Sequence, residues 1–160
     1  VENSTRVSQE QRMRFLKAYF GRFYVQVKKE KREQIKKEIE ELDSFFLYKL
    51  APSSELTKFG AVALSLWGKS YHKILSYELL TMYLDEGVCF YEHPTDFLII
   101  LHLKDTPPNK FLPHLIQYTA THRMEQGKRT LVLSEVKIPG VSAVRKEKEG
   151  VLECPNTEVF

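Results

Sequence analysis

The chain has 160 residues, of which 42% are hydrophobic, 12% aromatic and 28% charged, and it carries a net charge of +3 at pH 7. This length is enough for one domain with a sizeable core, and no apolar run approaches the roughly 18 residues of a membrane span. Cys89 lies in an apolar stretch and Cys154 in a polar one, which argues against a disulfide framework or a metal pair and favours a reducing compartment, nuclear or cytoplasmic. A start at Val1 rather than methionine is what a processed product or a fragment would have.

The first fifty residues are expected to form a helical extension. Ser8 and Gln11 make a capping box, Leu16, Phe20, Phe23 and Val27 follow at helical spacing, and Ile35, Ile39, Leu42 and Phe46 resume that spacing beyond Lys31. No capping residue lies between Arg22 and Gln34, so one long helix is expected, part of it projecting or pairing with another chain. Between Arg6 and Lys37 eleven basic residues stand against Glu10, Glu30 and Glu33, after which Glu38, Glu40, Glu41 and Asp43 reverse the sign. Arg12, Arg14, Lys17, Arg22, Lys28, Lys29, Lys31 and Arg32 are therefore candidate nucleic-acid contacts. The apolar positions Ile35, Ile39, Leu42 and Phe46 are the candidate protein interface, for a partner or for self-association through the long helix. A charged run of this kind is equally what a solvated helix face looks like.

Ala51-Pro52-Ser53-Ser54 should end that helix and open a second over Glu55 to Trp67, with Leu56, Phe59, Gly60, Ala63 and Leu64 on its buried stripe. The spacing of Tyr71, Ile74, Leu75, Leu79 and Met82 predicts a third helix from Tyr71 to Glu86, closed by Gly87. Val88 to Tyr91 and Phe97 to Leu103 read as a hairpin whose second strand is apolar on both faces. A helix near Phe111 to Gln126, with Pro113 in its first turn, and a strand over Thr130 to Ile138 complete a strand-helix-strand crossover. The expected fold is α+β: a helical extension over 1–50, a compact core over 51–144 and a tail over 145–160.

Two element orders suggest functions. The helices over Glu55–Trp67 and Tyr71–Glu86 followed by a hairpin resemble a winged helix-turn-helix, but Tyr71, His72, Lys73, Glu78 and Tyr83 give that recognition helix too little positive charge for DNA. The core order is also similar to a restriction-nuclease core opening at Asp96, although His102-Leu103-Lys104 stands where an acid-x-lysine motif is needed, and imidazole is a poor magnesium ligand. Cys89 with His93 and His114 with His122 lack zinc spacing, and Gly60, Gly68 and Gly87 form no phosphate loop. The function expected is a non-enzymatic protein-interaction module, a subunit or domain of a larger intracellular assembly. A nucleic-acid-binding module using the basic helix is the alternative, and an inactive nuclease-like domain the third; no cofactor is expected.

Overall fold

The computed structural model describes residues 27–42, 45–67 and 71–139. Their order is α1 (Lys29–Leu42), β1 (Phe46–Leu50), α2 (Ser53–Trp67), β2 (Tyr71–Leu75), α3 (Ser76–Glu86), β3 (Phe97–His102), α4 (Leu112–Glu125) and β4 (Arg129–Ser134). The strands form one four-stranded sheet in the order β1-β4-β3-β2, and every pairing is parallel. From β1 to β2 the chain crosses the whole sheet, and through β3 to β4 it returns. Right-handed crossovers then require the outgoing helix on one face and the returning helices on the other.

The packing meets that requirement. Leu56, Phe59, Val62 and Ala63 of α2 join Ile35 and Ile39 of α1 against Leu47, Leu75, Phe97, Ile99, Leu101, Leu131 and Leu133. On the other face Leu79 and Leu80 of α3 and Leu112, Leu115, Ile116 and Ala120 of α4 cover Phe46, Ile74, Leu98, Ile100 and Val132. Successive residues of β3 alternate between these two cores, and all six are buried. The sheet is thus the middle layer of an α/β/α sandwich, and the continuous apolar run of β3 is the mark of a parallel strand covered twice.

Several expectations are corrected. The sheet is parallel throughout, so the fold is α/β and not α+β. Val88–Tyr91 is not a strand, there is no 88–103 hairpin, and Cys89 is exposed instead of buried in a strand. The helix expected to start at Tyr71 starts at Ser76, because Tyr71–Leu75 pairs with Phe97–Leu101. Neither winged-helix nor nuclease order survives these changes. Helix α1 begins at Lys29 and ends at Leu42, and Phe46 opens β1, so the apolar spacing across Leu42 does not continue one helix. Residues 46–50 belong to the sheet, since β1 pairs with β4. The expected helix over residues 8–26 and the expected tail lie outside the described residues.

Other expectations hold. Gly87, with φ of 71°, ends α3 and donates its N–H to Tyr83 O at 2.9 Å. Pro113 sits in the first turn of α4, and β3, α4 and β4 form the expected parallel unit. Strand β4 stops at Ser134 rather than Ile138; the next residues fold over the α4 face, where Ile138 is buried and donates its N–H to the Tyr48 hydroxyl at 3.0 Å. Among the described residues no helix is long and apolar enough to cross a membrane.

Candidate functional site

In an open parallel sheet, ligands gather outside the carboxyl ends of the strands, where loops and helix starts converge. Here that end holds an open cavity of about 730 Å³, framed by the end of β3, the Thr106–Lys110 loop, the first turn of α4 and Val136–Pro139 after β4. Strand β3 delivers His102 to its wall as the one polar side chain of an otherwise apolar strand. The His102 Nδ1 and the Ser76 hydroxyl share a hydrogen bond of 2.7 Å, and Ser76 has no exposed surface. Burial pushes the His102 pKa down to about 4, so the ring is neutral at pH 7. His114, also on the wall and 2% exposed, is lowered by the same cause. Among the described residues the charged members of the lining are Lys110 and Lys137, with no aspartate or glutamate.

A second place at this end follows from the winding. The chain leaves β1 toward one face and leaves β4 toward the other, so the sheet changes direction between these neighbours. Phosphate-binding turns of α/β proteins occupy such a point, using glycines for close approach and the N–H groups of a helix start. Here the turn and helix start read Ala51-Pro52-Ser53-Ser54-Glu55, without glycine and with a proline that has no N–H. The first turn of α2 carries its own anion. Glu55 bonds Lys31 of α1 at 2.8 Å and lies 3.6 Å from Lys58, and the Lys31 hydrogen bond holds its carboxyl below the usual carboxylate range, with the charge of both lysines adding to it. The Ser134 hydroxyl at the end of β4 is turned onto Val136 O.

The opposite end of the sheet is closed by Arg123, 1% exposed. Its Nε donates to Thr130 Oγ1 at 3.1 Å, Nη1 to His93 O at 3.1 Å, and Nη2 to Thr95 O at 2.9 Å and Arg129 O at 3.1 Å. Burial lowers its pKa, and the Asp96 charge acts in the opposite sense. Asp96, singled out as a nuclease carboxylate, lies at this end of the sheet, where its carbonyl accepts from Arg129 N–H at 2.9 Å. The His72 and His93 rings stack at 3.9 Å, and the Tyr91 hydroxyl shares a 2.9 Å hydrogen bond with His72 Nε2. These contacts anchor the 91–95 segment without strand pairing.

Of the residues proposed for partners, Ile35 and Ile39 are 4% and 1% exposed and face the α2 core, while Phe46 is 1% exposed on the other face of the sheet. They are core residues and present no outward stripe; Leu42 is the last residue of α1. Lys28, Lys29 and Arg32 are exposed, with Arg32 Nη2 also donating to Val27 O at 3.1 Å, and Lys31 is held by Glu55. Arg12, Arg14, Lys17 and Arg22 lie outside the described residues. The sequence reading missed the pairing of Ser76 with His102 and the burial of His114 and Arg123; its one usable signal was a lone imidazole closing the run FLIILH. Among the described residues no three His, Cys, Asp or Glu side chains are placed to hold a metal ion. Comparison of the chain with protein-family models, with curated proteins and with solved structures finds no match.

Proposed function

We propose that this chain is a non-enzymatic α/β interaction domain, a subunit or part of a larger intracellular assembly, which meets a protein partner through the solvent-facing side of α1. The turn from β1 into α2 carries the proposal. The winding of the sheet puts a helix start there, but the turn has no glycine, Pro52 has no N–H, and Glu55, paired with Lys31 and Lys58, already places a carboxylate in the first turn. Outward function then falls to the surface. Ile35 and Ile39 seat α1 on the core, while Lys29, Arg32, Glu33, Lys36 and Glu40 stay exposed, a pattern of both signs on a fixed support. Such a pattern selects a partner of complementary charge and speeds encounter.

A second reading, nucleic-acid binding, is favoured by Lys28, Lys29, Arg32 and Lys36 all being exposed on or beside one helix. The full chain and its Lys28→Gln/Lys29→Gln/Arg32→Gln/Lys36→Gln variant separate the two. For the protein-binding proposal, a protein isolated together with the full chain associates more slowly with the variant, and labelled RNA and DNA show no saturable binding at physiological salt. Nucleic-acid binding that falls steeply with salt, and less steeply in the variant, would establish the second reading instead.

A further inference from the structure

The cavity at the carboxyl end of β3 and β4 plays no part in the proposed use of α1, and its chemistry is specific enough to name a ligand class. A volume of about 730 Å³ lies within the range that encloses small organic ligands, and the position is the one at which parallel sheets bind them. Its walls are largely apolar, with Leu112, Pro113 and Ile138 among them. Its charge has one sign. Among the described residues Lys110 and Lys137 stand on the lining and no carboxylate does, and the imidazoles of His102 and His114 provide polarity. His102 is also fixed in place, since Ser76, buried beneath it, shares the 2.7 Å hydrogen bond to Nδ1.

We propose that this pocket binds a small organic anion with an apolar body, the body lying on Leu112, Pro113 and Ile138 and the anionic end meeting Lys110 and Lys137. A cation has no carboxylate to pair with among the lining residues, and a purely apolar molecule would leave the field of two lysines unused. The lysines, not the imidazoles, set the charge preference of the pocket.

The test uses the full chain and two probes of nearly one shape, 2-naphthoate, which is anionic, and 2-naphthol, which is neutral at pH 7. Binding is followed by calorimetry and by the nuclear magnetic resonance signals of the histidine rings. The expected result is one saturable site for 2-naphthoate that shifts the His102 and His114 signals, about tenfold tighter than for 2-naphthol, with that advantage lost in Lys110→Gln/Lys137→Gln. Val136→Trp, which places a large ring at an exposed wall position, should block both probes. All the substituted residues are exposed, so unchanged thermal midpoints are expected and serve to verify folding. Absence of saturable binding, equal affinity for the two probes, an unchanged advantage in the lysine variant, or full binding to Val136→Trp would each overturn the proposal.

Discussion

His102 and Arg123 show what a polar side chain costs and contributes when an apolar sheet is built around it. The folded pKa of His102, about 4, lies below its unfolded value near 6.5. The unfolded chain therefore takes up the proton first, and stability present above pH 6.5 is lost as pH falls through about 4. The loss amounts to roughly 3 kcal/mol from this one ring. Urea denaturation across that interval should show a shallower pH slope for His102→Leu than for the natural chain; equal slopes would mean that the ring protonates in the folded state as readily as in the unfolded one. At Arg123 the planar guanidinium satisfies three backbone carbonyls and a threonine hydroxyl at once. An ammonium group lacks that fork, so Arg123→Lys and Arg123→Met should each destabilise by about 3 kcal/mol, read from the denaturation midpoint. Retention of stability by the lysine variant would show that charge, not geometry, holds the 93–95 segment.

At the level of elements, the legible ones were those with a long, single-period pattern or strong punctuation. β3 declared itself by five consecutive apolar residues, α4 by Pro113 and Gly127 at its two ends, and α2 by Pro52 before it. The two edge strands were not legible, for a physical reason. Each is five residues long, and its apolar residues also fit helical spacing: Phe46 falls four residues after Leu42, and Ile74 and Leu75 lead into Leu79 and Met82. Only pairing with β4 and β3, distant in the sequence, decides for strand, and parallel strands have no hairpin turn to announce them. The candidate site was hidden by the same non-locality, since Ser76 and His102 meet across 26 residues and the pocket joins the 102–114 and 136–139 segments. Phe46→Ala and Ile99→Ala test this architecture together. Both side chains are buried between layers, so losses of about 3–5 and 2–5 kcal/mol are expected. A near-neutral Phe46→Ala would return residue 46 to an exposed helix and remove β1 from the sheet.

For the whole molecule, the consequence of the winding is that the turn from β1 into α2 and the cavity beside β3 lie at one end of the sheet and differ in their charges. Between β1 and β4 the first turn of α2 carries the Glu55 carboxylate paired with Lys31 and Lys58, whereas the open cavity beside β3 has lysines as the charged residues of its described lining. The seating of α1 through Ile35 and Ile39 leaves charges of both signs facing solvent, the surface that the proposed partner would meet. An α/β domain of this layout that served phosphate chemistry would need the first position; an interaction domain would not. Equilibrium titration of the full chain with magnesium-ATP and magnesium-GTP, with phosphate release followed in parallel, tests that distinction most directly. The account predicts no phosphate release and no nucleotide binding that depends on Lys58. Saturable binding that is lost in Lys58→Ala, or nucleotide hydrolysis by the chain, would contradict it.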